Sequence, residues 1–320
     1  MVNNNFEKFS ALELEQEISA LKQELSIDEK DFRKWLEREK RRLTAYFEFP
    51  PLEIYDRLYK FIGVSHEPST FIKNKQELRR IIESKETNSV VLEYFIPEKH
   101  GKVFKETKEL GDIEKAMKKL ENTLSSDMLF YGAIASLAAV NNKDVVVVNP
   151  ENRLSHFIYI IPSALAVMFF LNTFRIARKK VYNRREFFKL IGSAIAALGL
   201  SGLSFMFQYG NSIGRLEFVN NVRQSLKDNN IITPDDIPEL EAYKSIFCLY
   251  DYRDCGTALA LSQFINSVNK GEMVAHVEGT GHALGIFRYL KDPEKARLRM
   301  AMYNNLLFKW MGKEERYIRI

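Results

Sequence analysis

The stretch Met273–Leu290, MVAHVEGTGHALGIFRYL, decides the fold. It begins as an apolar run, is interrupted by Gly279 and Gly281, presents His282, and continues with a helical pattern from Ala283. This order is typical of a parallel strand that enters a helix through a tight turn, where glycine adopts backbone angles that bulkier residues resist. Side chains just beyond the carboxyl end of such a strand line the crevice in which open α/β sheets bind ligands. His282 is therefore a candidate functional residue.

The same pattern occurs once more upstream, in Tyr59–Ser69, YKFIGVSHEPS, where Gly63 and His66 repeat the Gly-x-x-His spacing. Glu93 follows the apolar run of a further predicted strand, in VVLEYF. Because the carboxyl ends of parallel strands meet at one edge of a sheet, we expect His66, Glu93 and His282 to lie together.

Strands alternate with helical stretches on both sides of the middle of the chain, which predicts an α/β fold with a mostly parallel sheet and flanking helices. The predicted strands are 60–63, 89–95, 144–149 and the apolar run from Met273. The predicted helices are 73–84, 106–120, 127–140, 216–227, 250–266 and 293–310, and Thr233-Pro234-Asp235 resembles a capped start to one more.

Residues 1–48 differ from the rest, because they are dense in charge and carry apolar side chains at helical spacing. They predict a helical hairpin or short coiled coil over Leu12–Phe47, which Phe49-Pro50-Pro51 ends. A solvated accessory helix pair is the favoured interpretation. An arm that makes a homo-oligomer, as in a scaffold protein, is the alternative.

Two stretches without Lys, Arg, Asp or Glu interrupt the α/β pattern, His156–Phe174 and Leu190–Gly210. Each is close to the roughly 20 apolar residues that cross a bilayer. The basic segment between them, RIARKKVYNRREFFK, makes a transmembrane hairpin the favoured interpretation, and a pair of buried core helices is the alternative. The predicted domains are then 1–48, a first α/β half 49–155, the hairpin 156–210, and a second α/β half 211–320. Because a hairpin crosses the membrane twice, the chain returns to the side that it left. The two α/β halves can therefore complete one sheet and one site.

Composition excludes several classes of protein. A chain of 320 residues with 46% hydrophobic and 28% charged residues is expected to fold, and a net charge of +5 without a basic face argues against nucleic-acid binding. Cys248 and Cys255 fit neither a zinc ribbon nor a disulfide framework. No secretory leader is expected at the start. The basic residues between the two apolar stretches favour a cytoplasmic position for that segment, which predicts that both α/β halves lie outside the cytoplasm. The length of the chain before the first apolar stretch, about 155 residues, argues against this orientation.

Two imidazoles and a carboxylate form a common open coordination set for Mn²⁺, Co²⁺ or Zn²⁺, which would supply hydroxide near neutral pH. Arg253 could hold a carboxylate or stabilise developing negative charge. Glu67 and Glu278, which flank the two motifs, are further candidates for ligand or base. The alternatives are that the histidines are turn or capping residues and that Arg253 belongs to a solvated first helical turn. Of the other histidines, His276 is expected in a strand, His100 in a loop and His156 at the membrane edge.

Four segments in this order, IGVSHEPS, VVLEYF, YDYRDCGTALAL and VAHVEGTGHALGI, resemble the TraB/PrgY/Tiki superfamily, in which paired GxxH motifs recur with a strand-end glutamate and an arginine. The resemblance covers about Leu58–Asn149 and Ala242–Leu290. It implies His66 and His282 as metal ligands, Glu93 as ligand or base, and Arg253 as a site residue. It implies a membrane-anchored, metal-dependent peptidase or, as in PrgY-like members, a non-catalytic protein that binds or sequesters a peptide.

Overall fold

The computed structural model describes residues 9–34, 46–65, 67–93, 97–148, 218–308 and 317–319. Met1–Pro150 together with Ser225–Ile320 form one compact unit, and Glu151–Gln224 form a second. Apart from residues 218–224, the helices and strands named below belong to the first unit. The predicted hairpin 156–210 lies outside the described residues. Within the part of the chain that is described, no helix has the length and apolar character that a membrane span requires.

The described strands form one mixed sheet in the order β1-β3-β6-β4-β5-β7, with β2 paired to β3. Their bounds are β1 Phe47–Glu48, β2 Leu52–Ile54, β3 Arg57–Val64, β4 Thr87–Leu92, β5 Asp144–Val148, β6 Met273–Gly279 and β7 Tyr317–Arg319. The helices are α1 Ala11–Glu24, α2 Pro68–Lys73, α3 Lys75–Ile82, α4 Pro97–Leu110, α5 Ile113–Leu120, α6 Ser126–Val140, α7 Pro238–Ser267, α8 Thr280–Lys291 and α9 Pro293–Met302. A π-helix, Tyr303–Leu307, follows α9, and residues 218–228 are also helical.

The four central strands are parallel, as the alternation of strands and helices predicted. β6 lies between β3 and β4 and pairs with both in parallel, so that His276 is opposite Phe61 on one side and Val91 on the other. β5 pairs in parallel with β4. The strands β1, β2 and β7 join the edges antiparallel. The downstream strand β6 therefore completes a sheet begun by the upstream half of the chain.

The apolar runs of the central strands are explained by burial on both faces of the sheet, as parallel sheets require. One face presents alternate side chains, with period two, to α6 and its neighbouring helices. These include Ile62, Val64, Val90, Leu92, Val145, Val147, Ala275 and Val277, which share one core cluster with Phe130, Ile134 and Leu137 of α6. Burial of this face fixes the register of the strands, because a slip by one residue would turn the whole set away from the core.

The helix predicted over 106–120 is wrong in its bounds, because two helices occupy this region. α4 starts at Pro97, a residue that the first turn of a helix tolerates. Gly111, with φ of +61°, ends it, and Asp112 then caps α5 by accepting hydrogen bonds from the next turn. His100, expected in a loop, is a fully buried residue of α4.

The helix predicted to open at Tyr250 is also wrong at its start. α7 begins at Pro238 and continues without a break to Ser267, so Arg253 and its acidic neighbours lie in the helix interior. The Thr233-Pro234 segment forms a turn before it, where Asp236 accepts a hydrogen bond from the Thr233 amide at 2.8 Å. The interpretation of Arg253 as part of a solvated first turn is therefore excluded.

The first helix is packed against the domain rather than solvated on all sides. α1 starts with a capping box between Ser10 and Glu13, and its apolar face, which includes Leu21, is buried. The fully buried guanidinium of Arg299, in α9, lies 2.5 Å from Glu17 of α1. The interpretation of this region as a solvated accessory helix pair is thus wrong for α1, because one face of this helix is buried. Residues 29–34 are helical, and the remainder of the predicted hairpin, 35–45, lies outside the described residues.

The contact between α4 and α6 supplies a test of the core. A Cβ atom added to Gly132 of α6 would lie 2.8 Å from the Cβ of Val103 of α4, whereas one added to Gly101 would contact nothing within 4 Å. Gly101→Ala should raise the free energy of unfolding by about 0.5–1 kcal/mol, because alanine is the better helix former. The free energy of unfolding of Gly132→Ala should be lower than that of Gly101→Ala by about 1–3 kcal/mol, because α4 and α6 must separate to admit the methyl group. Urea unfolding measures both, and equal gains in the two variants would contradict this packing.

Candidate functional site

Three elements bring the site together at the carboxyl edge of the parallel strands. β4 ends at Leu92 and places Glu93 at the edge, where its amide approaches the Val277 carbonyl of β6 at 3.4 Å. β6 ends at Gly279, and α8 then carries His282 in its first turn. The third element, α7, contributes Arg253 from its interior.

The Arg253 guanidinium joins the other two residues. Its Nη2 donates to Glu93 Oε1 at 2.6 Å, and its Nη1 lies 3.1 Å from His282 Nε2. The arginine side chain is 44% exposed, whereas that of Glu93 is 9% exposed. Burial lowers the pKa of Arg253, but the charge of Glu93 helps to outweigh this effect and the pKa is raised, so the guanidinium is charged. From solvent, the site presents a cationic fork above a buried imidazole and a buried carboxylate.

Glu93 accepts hydrogen bonds from three donors other than Glu278. Besides Arg253, these are the Gly279 amide at 2.9 Å and the Tyr131 hydroxyl at 3.0 Å, both on Oε2. Burial and the charge of Glu93 raise the pKa of Tyr131 well above its usual value, so the phenol keeps its proton and donates. A carboxylate held by three donors is fixed in position and favours the ionised form. Glu93 is thus suited to position Arg253.

The tautomer of His282 follows from its partners. Arg253 can only donate, so Nε2 accepts, and Nδ1 carries the proton that it donates to Asp254 Oδ1 at 2.6 Å. Burial raises the pKa of Asp254 to about 6, against the opposing effect of its hydrogen bond with His282. A Cβ atom at Gly285 would lie 1.9 Å from Asp254 Oδ2, so the absence of a side chain there makes room for the carboxylate. A carboxylate behind an imidazole orients Nε2 for use as a base or as a metal ligand.

A second buried layer lies behind Glu93. Glu278 hydrogen-bonds Glu93, and its Oε2 lies 2.8 Å from His276 Nε2. Burial and the charge of Glu93 raise the pKa of Glu278 well above its usual value, so Glu278 keeps its proton and donates it to Glu93. Burial lowers the pKa of His276 to about 3, and the neutral ring also contacts the Tyr59 hydroxyl through Nδ1. The prediction of His276 as a buried strand residue is confirmed.

Of the candidates named from the sequence, the structure brings Glu93, Arg253, His282 and Glu278 together. His66 and His156 lie outside the described residues. Glu67 is the exposed N-cap residue of α2 and accepts a hydrogen bond from Ser69 at 3.1 Å.

Two contributors, Asp254 and Tyr131, were not predicted. The acids beside Arg253 signalled Asp254 but were assigned to a helical first turn, and Tyr131 sits in an apolar helix that gave no signal.

The donor set can be compared with a divalent metal ion. An imidazole backed by a carboxylate and a nearby strand-end carboxylate are ligands of the right chemical kind. Among the described residues, no group of three His, Cys, Asp or Glu side chains is arranged to hold a metal. Arg253 contacts Glu93 and His282 at once, so an ion that uses both must displace this guanidinium.

Comparison of the chain with models of known protein families, with curated proteins and with solved structures gives no match.

The lowered pKa of His276 predicts a pH dependence of stability. The unfolded chain binds a proton at this histidine below its ordinary pKa of 6.5 and the folded protein does not until about pH 3, so its contribution to stability is lost as pH falls between these values. His276→Gln should lower the free energy of unfolding at pH 7. Between pH 6.5 and 5 the variant should lose about 1–2 kcal/mol less of this free energy than the wild type loses.

Chemical denaturation at each pH measures the difference. Glu278 acts in the opposite direction, because its raised pKa favours the folded state at low pH, and it is present in both proteins. Parallel pH profiles for wild type and variant would show that His276 does not titrate in this way.

Proposed function

We propose that the chain is a hydrolase, and specifically a peptidase of the kind that the resemblance to the TraB/PrgY/Tiki superfamily implies, acting at the edge of the sheet. The observation that carries the proposal is the contact of Arg253 with both Glu93 and His282. These three residues come from three of the four resembling segments, which are far apart in the chain. The convergence supports a shared chemical task at the place where α/β sheets bind ligands.

The proposed roles follow from the hydrogen bonds. His282 Nε2 takes a proton from the water molecule that adds to the carbonyl, and Asp254 stabilises the imidazolium that results. The imidazolium then gives this proton to the leaving nitrogen as the C–N bond breaks. The exposed guanidinium of Arg253 donates to the oxygen on which negative charge develops when water adds to a carbonyl. Because the Nε2 lone pair accepts from Arg253, that hydrogen bond must break before Nε2 can take the proton, and the freed Nη1 then donates to the substrate. Glu93 holds Arg253 throughout.

The resemblance also implies a divalent metal ion held by His66, Glu93 and His282. Such an ion lowers the pKa of bound water and supplies hydroxide at neutral pH. The described donors fit it in chemical kind, and Arg253 must leave both ligands for it to bind. The metal is therefore a proposal that metal analysis can separate from the roles of the residues.

Substitutions at the site test the hydrolase directly. With a library of internally quenched peptides, His282→Ala should lower kcat/KM by at least about 100-fold, the usual contribution of a general base. Arg253→Lys should lower it by about tenfold or more, because lysine keeps the charge without the fork. Arg297→Ala is the matched control, since this arginine forms an exposed pair with Glu294, and it should leave the rate unchanged.

Retention of full activity by His282→Ala would overturn the proposal. Elemental analysis of protein purified without chelator, on the wild type and on His66→Ala and His282→Ala, gives the metal content independently of rate. Equal metal content in all three proteins would remove the metal from the account.

A non-catalytic peptide-binding protein is the second candidate. The observation that favours it is that Arg253 already occupies both Glu93 and His282, which are the reactive groups of the first proposal. This candidate gives peptide binding without turnover, and the binding is insensitive to chelators.

We propose further that 156–210 anchors the protein in a membrane, on the strength of its two uncharged apolar stretches. After high-pH carbonate washing, the wild type should stay with the membrane fraction and be released by detergent. Leu200→Arg, which puts a charge within the second stretch at a cost of about 2.5–3.5 kcal/mol, should shift protein to the supernatant. Asn183→Arg, in the basic segment, is the control and should behave as wild type. Complete release of the wild type by carbonate would contradict the anchor.

A further inference from the structure

The site helix α7 exposes one narrow line of side chains beside the site. From Lys244 to Ser262 its exposed positions are Ile246, Tyr250 and Arg253, and its remaining residues are buried or half-buried. The spacings of four and three residues place these side chains on one face of the helix, one turn above another. Ile246 is 52% exposed and Tyr250 is 46% exposed. We call these three residues the α7 stripe.

The α7 stripe meets the site at Tyr250. The ring of Tyr250 lies against the His282 imidazole, with 4.4 Å between ring centroids and 34° between the planes. The next member, Arg253, contacts His282 and Glu93. A molecule bound over His282 therefore touches the tyrosine ring at the same time as the guanidinium.

The dimensions of the α7 stripe match a short extended peptide. Seven residues of helix separate Ile246 from Arg253, which corresponds to about 10.5 Å at 1.5 Å per residue. An extended peptide advances about 3.3 Å per residue, so about three residues span this length. The side chains of Ile246 and Tyr250 provide apolar surface at one end of the α7 stripe, and the Arg253 guanidinium provides hydrogen-bond donors at the other.

The charges around Arg253 select an uncharged partner over a strongly anionic one. Glu93 is ionised and pairs with the guanidinium at 2.6 Å, and the Asp254 carboxyl lies behind His282. These carboxylates offset the positive charge of the arginine, which disfavours phosphate esters and nucleotides. A peptide carbonyl needs only a donor, and the exposed part of the guanidinium supplies one.

We propose that the α7 stripe is the substrate-binding surface of the site and that it takes peptides with large apolar side chains within about three residues of the bond over His282. This inference rests on the proposed function for the position of that bond. Tyr250 and Ile246 bind the apolar side chains, and Arg253 binds the adjacent carbonyl. Burial of such side chains against exposed apolar groups supplies the binding free energy.

Two internally quenched peptides of equal length test the proposal, one with Leu and Phe in the three positions before the cleaved bond and one with Ser in their place. The full-length protein in detergent should cleave the apolar peptide with a kcat/KM at least about tenfold higher. Tyr250→Ala should reduce that preference at least about fivefold through KM, and Ile246→Ser should reduce it less. Tyr250→Phe, which keeps the ring, should restore the preference. Val140→Ser, a change at an apolar residue of α6 that is 63% exposed, is the control and should leave it unchanged.

The outcomes separate this inference from the proposed function. Cleavage of both peptides with equal efficiency, or a Tyr250→Ala variant that lowers both rates equally, overturns the substrate-binding surface and leaves the hydrolase intact. If neither peptide is cleaved, fluorescence anisotropy of the same peptides decides. If the apolar peptide binds and Tyr250→Ala weakens that binding, the result supports the substrate-binding surface and overturns the hydrolase. If the apolar peptide binds no more tightly than the serine peptide, the substrate-binding surface is overturned. A change in oligomeric mass on Tyr250→Ala without an effect on either peptide assigns the α7 stripe to a second copy of the chain and overturns it as well.

Discussion

The pairing of β6 between β3 and β4 is the constraint on which the rest of the structure depends. A parallel sheet aligns the carboxyl ends of its strands, so a strand from the second half of the chain delivers His282 to the edge that already holds Glu93. The pairing is fixed by burial on both faces, because a slip in register would turn the buried apolar side chains away from the core. The Gly279 amide, at the end of β6, then donates to Glu93 and joins the strand pairing to the site.

The second requirement is a helix whose successive turns carry buried carboxylates, each paired with a different partner. Asp251 of α7 faces inward and accepts hydrogen bonds from Tyr289 at 2.7 Å and Tyr303 at 2.8 Å. Three residues further on, Asp254 faces His282 instead. Buried carboxylates are costly unless each is paired, and both of these are. The contacts of Asp251 fix the rotational position of α7 about its own axis. In this position Arg253 lies between Glu93 and His282.

Much of the fold could be predicted from the sequence, since the apolar runs of β4, β5 and β6 and the glycine end of β6 are local signals. The order of the strands could not, because nothing local states that β6 lies between β3 and β4. The start of α7 was missed because the acidic residues around Arg253 look like a first turn when their burial is unknown. Glu93, Arg253 and His282 were found through spacing and resemblance. Asp254 and Tyr131 depend on which side chains meet in the folded protein, which their own segments do not encode.

The most direct measurement is a double-mutant cycle between the two ends of the central ion pair. The free energy of unfolding in urea would be compared for wild type, Glu93→Gln, Arg253→Gln and the double variant. The account predicts a coupling free energy of about 0.5–3 kcal/mol, at the lower end because the Arg253 side chain is 44% exposed. A coupling within error of zero would show that Arg253 does not pair with Glu93 and would contradict the account of the site.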